Sequence, residues 1–164
     1  MNYRIRKAKP TDLQQILNLI VELAVFEKEP HAVEVSIEDL YESGFGTHPD
    51  YTCFVAEFDA KIWGIALVYT RFSTWKGRVL HLEDLIVMED RRGQGIGTAL
   101  LDQVVRYADE LKVKRVSWEV LDWNNPAIEF YEAKGAKVKR DWDVVHLDEK
   151  GIKKYLSKLE SCTS

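Results

Sequence analysis

The stretch from residue 82 to residue 101 constrains the fold more than any other part of the chain. It begins as an apolar, strand-like run, passes through Arg91 and Arg92, and places glycines at positions 93, 95 and 97 in front of a helical pattern. Glycine lets the backbone approach a ligand closely, and the first N–H groups of a helix point at an anion. The stretch therefore predicts a strand–turn–helix unit that holds a phosphate-bearing ligand.

The composition is that of an ordinary soluble globular protein. The 164 residues are 46% hydrophobic and 30% charged, which suits one domain with a core of its own. We expect this domain to span residues 1–160 and a frayed tail to cover residues 161–164. The sequence contains no run of ~18 apolar residues that could cross a membrane, and its N-terminus has no apolar signal-peptide core. A cytoplasmic location is therefore expected.

Charge and residue types exclude several partners. The formal net charge is −4, which gives no electrostatic footprint for nucleic acid or an anionic membrane surface, so neither partner is expected. Cys53 and Cys162 lack metal or redox spacing, which predicts two free thiols in a reducing compartment. No metal site is expected, because the histidines show no ligand spacing either; they are His31, His48, His81 and His146.

Hydrophobic periodicity predicts a mixed-sheet α/β domain, with a mostly antiparallel sheet flanked by helices. Predicted helices cover about residues 11–26, 36–41, 96–112, 125–134 and 152–159. Predicted strands cover about residues 3–5, 51–58, 61–70, 79–88 and 115–120, with two closing strands near 138 and over 144–147. A tight turn at Asp59-Ala60 joins two of the strands, and residues 73–78 form a loop.

Two common phosphate-binding motifs do not fit the glycine turn. A nucleoside-triphosphate P-loop needs a lysine after its last glycine, and none follows Gly97. A dinucleotide fingerprint needs glycine where Thr98 stands. A turn that needs only positive φ angles is a plainer alternative, but three glycines and two arginines at a helix start exceed what such a turn requires. The remaining interpretation is a pyrophosphate cradle of the type Arg/Gln-x-x-Gly-x-Gly/Ala.

This cradle, over residues 92–97, resembles the acetyl-CoA-binding turn of the GCN5-related N-acetyltransferases. Residues 123–136 resemble the second signature of that superfamily, and the order of elements matches over nearly the whole chain. The chain most resembles the diamine (spermidine/spermine N1-) acetyltransferase group, and residues 73–78 and 120–124 are most similar to its thialysine N-acetyltransferase branch. The polyamine branch carries an aspartate where Ser73 stands, which argues against long polyamines. The resemblance also implies a homodimer.

By this resemblance, acetyl-CoA contacts the strand before the turn, the turn itself and the helix that follows Asn124. The implied contacts are Leu85, Ile86, Val87, Arg92, Gly93, Gln94, Gly95, Ile96, Gly97, Thr98, Asn124, Asn125, Pro126, Ala127 and Tyr131. The N–H of Val87 is expected to reach the thioester oxygen. Arg91 is expected to be an ordinary surface charge.

Acetyl transfer from a thioester to an amine needs an acceptor for the amine proton and a proton donor for the leaving thiolate. An alkyl amine arrives as a cation, since its pKa is about 10.4, and carboxylates can capture it. The resemblance implies that Glu83 takes the amine proton through water and that Tyr131 protonates the thiolate. The implied substrate-binding residues, for a diamine, a polyamine or a thialysine-like amino acid, are Phe26, Glu27, Trp75, Glu83 and Asp84.

Plainer alternatives exist for these residues. Glu83 and Asp84 are adjacent on a strand, so they face opposite sides of the sheet unless the strand bulges there. The resembling family has such a bulge. Tyr131 could instead be a buried helix tyrosine beside Phe130, and Trp75 could pack on its own loop. The alternative function is a non-catalytic acyl-CoA-binding or sensing module, which would need neither Glu83 nor Tyr131.

Overall fold

The computed structural model describes residues 3–161. Two compact units can be separated, the first ending at Leu121 and the second beginning at Asp122. The predicted extent of the domain, residues 1–160, stays a prediction. Of the predicted frayed tail, residues 162–164 lie outside the described residues, and Ser161 is the last residue of a helix.

The first unit contains a five-stranded sheet in which strand order follows chain order. The first four strands are antiparallel to their neighbours, and the fifth is parallel to the fourth. The predicted mixed, mostly antiparallel sheet is thus confirmed. The strands are β1 (Arg4–Lys7), β2 (Thr52–Phe58), β3 (Lys61–Ser73), β4 (Gly77–Val87) and β5 (Val116–Ser117).

Helices cover both faces of this sheet. They are α1 (Leu13–Phe26), α2 (Ile37–Phe45) and α3 (Ile96–Glu110). Ile16 of α1 and Leu40 of α2 are buried in one cluster with Val55 of β2. The neighbouring residue Phe54 points the other way, because side chains alternate along a strand, and its ring lies edge-on to Tyr107 of α3, 5.3 Å between centroids.

Local sequence signals explain where these elements begin and end. Ser36 caps α2, since its hydroxyl accepts the N–H of Asp39 while the Asp39 carboxylate accepts the N–H of Ser36. Asp59 and Ala60 both have positive φ angles, 47° and 60°, so the predicted tight turn is confirmed. The apolar residues of α3 recur at helical spacing and are buried: Ile96, Leu100, Leu101, Val104 and Ala108.

The hairpin of β3 and β4 is longer than predicted. Ser73 pairs with Gly77, so the predicted loop over residues 73–78 shrinks to the three residues 74–76. The hydroxyl of Ser73 accepts hydrogen bonds from the N–H groups of Trp75 and Lys76, each at 3.3 Å. This side chain closes the turn and lets the strands continue to its edge. Conversely, β5 is shorter than the predicted strand over residues 115–120.

The second unit contains two helices among its described residues, α4 (Asn125–Ala133) and α5 (Glu149–Ser161). Asn124 caps α4 through its side-chain oxygen, which accepts the N–H of Ala127 at 3.3 Å. Pro126 lies in the first turn, and Gly135 follows the helix with a φ of 86°. All three boundary signals were predicted from the sequence.

The two closing strands predicted near residue 138 and over residues 144–147 are wrong. Residues 136–148 form no strand, and Val145 is 88% exposed. A strand is stable only when a neighbour takes its backbone N–H and C=O groups. The described part of the second unit offers no such neighbour, so the apolar run has nothing with which to pair.

We expect Leu100→Ala to lower the free energy of unfolding by about 2–5 kcal/mol, because truncating a buried leucine leaves a cavity. Leu100 is fully buried (0% exposed) under β3 and β4, whereas Val105 of the same helix is 55% exposed. Val105→Ala, the matched control, should change that free energy by less than about 0.5 kcal/mol. Denaturant unfolding of both variants measures the difference, and equal effects would contradict the packing of α3 described above.

Candidate active site

Strand β4 contains a bulge at Glu83. Val68 of β3 pairs with Leu82, but the preceding residue, Leu67, pairs with Asp84, so Glu83 is an extra residue with no partner on β3. A bulge bends the strand and changes the direction of side chains beside it. The expected bulge is therefore confirmed. Because of it, Glu83 and Asp84 need not face opposite sides of the sheet.

Asp84 is the carboxyl group at this bulge whose pKa is raised most clearly by its surroundings. Burial, together with the negative charges of Glu83 and Glu27, raises its pKa to about 6. Glu27, the C-cap residue that follows α1, has a pKa raised by partial burial. The charges of Glu83 and Glu27 therefore both oppose ionisation of Asp84, and a bound cation would relieve that repulsion.

His81 is a member of this site that the sequence analysis treated only as a non-ligand. It is 7% exposed, its Nε2 lies 3.5 Å from Glu83 Oε2, and its Nδ1 lies 3.5 Å from the hydroxyl of Ser117 on β5. Burial lowers the pKa of His81, as does the charge of Arg71. A neutral imidazole thus lies beside the carboxylate expected to take a proton. The signal available in the sequence was the spacing of two residues between His81 and Glu83.

The glycine turn has the backbone geometry that its sequence predicts. Gly93 and Gly95 have φ angles of 73° and 79°, a region that favours glycine. Gly95 is the N-cap of α3 and offers no side-chain acceptor to the first N–H groups of the helix. A Cβ on Gly97 would come no closer than 3.7 Å to Val87 Cγ2, so packing alone does not require glycine there. The space at the helix start stays open to a ligand.

The two arginines before the turn hold it against neighbouring elements. Arg92 Nε donates to the carbonyl of Val87 at 3.1 Å, and its guanidinium lies 5.2 Å from the ring centroid of Phe26. Arg91 lies over Trp63 at 4.8 Å and 3.4 Å from the carboxylate of Asp90. Arg92 therefore fixes the turn to the end of β4, and the predicted substrate residue Phe26 lies against that arginine.

Gln94 in the same turn has a buried side-chain oxygen, Oε1, without a hydrogen-bond partner among the described residues. A buried acceptor without a donor costs free energy of about 1–3 kcal/mol. An ionised pyrophosphate has only acceptor oxygens and would not satisfy this atom. The feature of the turn that fits such a group is the unfilled space at Gly97.

The backbone of β4 before the turn has one open edge. On one side Leu85, Ile86 and Val87 pair with β3. On the other side β5 pairs with β4 only at Leu80 and His81. Because successive residues of a strand point their N–H and C=O groups to alternate sides, part of the backbone groups over residues 82–87 face that open edge. An extended ligand with amide groups could hydrogen-bond there.

Five predicted cofactor contacts lie in the second unit, and the structure shows ordinary roles for two of them, Asn124 and Tyr131. Asn124 caps α4, as described above. Tyr131 is 8% exposed, and its ring centroid lies 5.3 Å from that of Phe130. The predicted contacts of Asn124, Asn125, Pro126, Ala127 and Tyr131 with the cofactor stay predictions.

Trp75 is not brought next to the carboxylates of β4. It lies at the tip of the β3–β4 hairpin and is 79% exposed. Trp75 lies eight steps along the chain from Glu83, and six of these steps run along β4, which corresponds to about 20 Å. The extension of the hairpin beyond its predicted length produces this separation. The proposed contact of Trp75 with a substrate cation stays a prediction.

The described residues, 3–161, contain no group of three or more histidine, cysteine or acidic side chains arranged to hold a metal ion. None of their helices is long and apolar enough to cross a membrane. Cys53 is buried, and burial raises the pKa of its thiol, which makes it a poor nucleophile. Cys162 lies outside the described residues.

The Acetyltransferase (GNAT) family matches residues 13–136, a range that includes the bulge, the glycine turn and Tyr131. The chain belongs to this family, as predicted. It is therefore an N-acetyltransferase, and acetyl-CoA is the co-substrate that the family uses.

Two relatives have the names of amine acetyltransferases, and one solved structure shares the fold. The thialysine N-epsilon-acetyltransferase of Mus musculus is 40% identical over 142 residues, which cover 82% of this chain and 84% of the mouse protein. The spermidine/spermine N(1)-acetyltransferase-like protein 1 of Homo sapiens is 33% identical over 141 residues, 82% of this chain and 20% of that protein. An integron cassette protein from the mobile metagenome of V. cholerae shares the fold, with a TM-score of 0.77, 23% identity and coverage of 95% of this chain and 98% of its own.

We expect Asp84→Asn to raise the free energy of unfolding at pH 8 by roughly 2–3 kcal/mol, and to have little effect near pH 4. The pKa of Asp84 rises from 3.8 to about 6 on folding, so its stabilising neutral form is lost as the pH rises through 6. Asparagine has no such charge to bury. Denaturant unfolding at both pH values measures the effect.

The matched control is Glu129→Gln, which removes an exposed carboxylate from α4. It should change the free energy of unfolding by the same small amount at both pH values. A gain for Asp84→Asn that does not depend on pH would contradict the burial of this carboxyl group.

Proposed function

We propose that this chain transfers the acetyl group of acetyl-CoA to a primary amine of a small cationic substrate: a diamine, a polyamine or a thialysine-like amino acid. The observation that carries the proposal is the position of Asp84, next to the β4 bulge, where the negative charges of Glu83 and Glu27 both oppose its ionisation. A cationic amine is the ligand that such a group of carboxyls favours. The names of the mouse and human relatives support the same class of substrate.

The parts of the chain that would hold acetyl-CoA are the open edge of β4 and the glycine turn. Backbone groups of Leu85, Ile86 and Val87 would bind its pantetheine arm, and the N–H groups of residues 93–98 its pyrophosphate. The positive φ angles of Gly93 and Gly95 support this assignment. Bound there, acetyl-CoA supplies the thioester that the amine attacks.

Glu83 is the proposed acceptor of the amine proton, through water. It is exposed at the bulge, so water can reach it, and neutral His81 lies 3.5 Å away. Glu27 and Asp84 are the proposed ligands of the ammonium group. Because Asp84 has a pKa of about 6, it is mostly ionised at pH 7 and can bind a cation.

Tyr131 is the proposed proton donor to the leaving thiolate. The support is its position in the second signature, within the range that the family matches. A phenol carries a proton that it can donate as a general acid. A homodimer and a cytoplasmic location, both expected from the sequence, are proposals of the same kind.

The proposal is tested by incubating the protein with acetyl-CoA and a panel of diamines, polyamines and thialysine, and measuring free-thiol release. We expect release above background with at least one amine that has a free primary amino group. Absence of release with every amine would overturn the proposal. Tight binding of CoA in calorimetry, without turnover on the panel, would instead favour the non-catalytic acyl-CoA-binding module.

We expect Tyr131→Phe to lower kcat by about 100-fold or more, because general acid catalysis typically contributes that much. The dissociation constant of CoA should change by less than about 2-fold, since this phenol would act on the leaving thiolate rather than in binding. Steady-state kinetics and calorimetry measure the two quantities. Tyr155→Phe, on the exposed face of α5, is the control. An unchanged kcat in a folded Tyr131→Phe variant would remove this residue from the mechanism.

A further inference from the structure

The segment that leads from β4 to the glycine turn is held by neighbouring elements before the glycines begin. The N–H of Met88 donates to the carbonyl of Trp63 on β3 at 2.9 Å, and Glu22 Oε1 on α1 accepts the N–H of Glu89 at 3.1 Å. At the turn itself, a Cβ on Gly93 would have no described atom within 4 Å apart from those of its two chain neighbours. Packing around this glycine therefore does not fix its conformation, and the preceding residues must do so.

Arg91 contacts the sheet through two stacked aromatic rings. Its guanidinium lies 4.8 Å from the ring centroid of Trp63. The Trp63 ring in turn stacks on Phe58, with centroids 4.6 Å apart and an angle of 25° between the planes. We call these three side chains the arginine–aromatic stack. It extends from β2 across β3 to the start of the turn, and Trp63 at its centre is only 6% exposed.

The surroundings of Arg91 are not those of an ordinary surface charge, which is what the sequence predicted for it. Its Nε is buried and has no hydrogen-bond partner within residues 3–161. Removal of water from such a donor is unfavourable, and the attraction between the guanidinium and the indole face opposes that cost. The carboxylate of Asp90 lies 3.4 Å from Nη2 but is 64% exposed, so it contributes little. The ring of Trp63 is thus the main partner of this arginine.

We propose that Arg91 is a positioning residue for acetyl-CoA: through the arginine–aromatic stack it holds the glycine turn in the conformation that binds the pyrophosphate, without touching the cofactor. This inference rests on the proposed function, which places the pyrophosphate at residues 93–98, and adds a residue to it.

A contact outside the binding site can set the affinity because only the competent conformation of the turn binds. If the turn leaves this conformation for part of the time, the apparent dissociation constant of CoA rises in proportion. Once CoA is bound, the ligand itself holds the turn, so the chemical step is unaffected. Loss of the stack should therefore raise KM for acetyl-CoA and leave kcat unchanged.

The experiment is a double-mutant cycle on CoA binding, measured by calorimetry with wild-type protein, Arg91→Met, Trp63→Leu and the double variant. We expect Arg91→Met to weaken CoA binding by about 5- to 20-fold, since one partly buried cation–π contact is worth such a factor. In the Trp63→Leu background the same substitution should change the dissociation constant by less than about 2-fold, because its partner is already absent. If Arg91→Met costs the same factor in both backgrounds, Arg91 binds a phosphate directly and the inference is overturned.

Pantetheine, which lacks the pyrophosphate, separates positioning of the turn from a general structural effect. Arg91→Met should leave the affinity for pantetheine, measured by displacement, within about 2-fold of the wild-type value. In steady-state kinetics, kcat at saturating acetyl-CoA should likewise stay within about 2-fold. An equal loss of affinity for CoA and pantetheine would overturn the inference. These measurements do not need Trp63→Leu, which removes a buried ring; Trp63→Phe replaces that variant in the cycle if it does not fold.

Arg106→Met is the matched control. Arg106 is an exposed arginine of α3, nine residues after Gly97 and so about 14 Å further along the helix. Its substitution removes the same charge from the protein but no contact of the stack. The dissociation constant of CoA should stay within about 2-fold of the wild-type value, and a loss as large as that of Arg91→Met would show a general effect of charge and overturn the inference.

The failure of this inference and that of the proposed function give different results. If wild-type protein binds CoA no more tightly than pantetheine, the turn does not hold the pyrophosphate, and the proposed placement of the cofactor fails together with this inference. If wild-type protein binds CoA more tightly than pantetheine and Arg91→Met leaves both affinities unchanged, only the role of Arg91 is overturned.

Discussion

The extra residue that Glu83 adds to β4 is the constraint on which the rest of the site depends. Without it, Glu83 and Asp84 would face opposite sides of the sheet. With it, the register between β3 and β4 shifts by one residue between Leu67 and Val68, and acidic side chains gather beside Glu27 at the end of α1. The bulge also marks the end of pairing between β4 and β5, which continues only to His81. The bulge at Glu83 thus places the acidic side chains, a carboxylate that water can reach and the open backbone edge of β4 at one site.

The carboxyl groups of Glu27, Glu83 and Asp84 destabilise the folded chain, and this destabilisation indicates that they serve to bind a cation. Burial of Asp84 beside two other carboxyls raises its pKa to about 6, which means that folding disfavours its charged form. An amine cation reverses the penalty when it binds. Binding of the cation therefore relieves the repulsion between the carboxylates. Because the pKa of Asp84 is about 6, its protonation state changes in a pH range that ordinary buffers cover.

Local signals predicted most of the fold, and long-range proximity explains what they missed. The glycines at 93 and 95, the caps at Ser36 and Asn124 and the turn at Asp59 all act through their own backbone, so the sequence reveals them. The apolar run over residues 144–147 resembles a strand locally but lacks a pairing partner. The bulge was expected only by resemblance. His81 and Ser117 come from two strands, and no sequence spacing joins them across 36 positions.

The short pairing of β5 with β4 has a consequence for what kinds of molecule the site can recognise. A strand edge with unpaired N–H and C=O groups is a template for anything that presents amides at peptide-like intervals. A ligand that lies along residues 82–87 therefore acts as a partial strand of the sheet, and its main contacts depend on backbone rather than on side chains. Side-chain substitutions along this edge should therefore be tolerated more readily than insertions or deletions, which would shift its backbone. The side chains there can vary as long as the backbone geometry of the edge is kept.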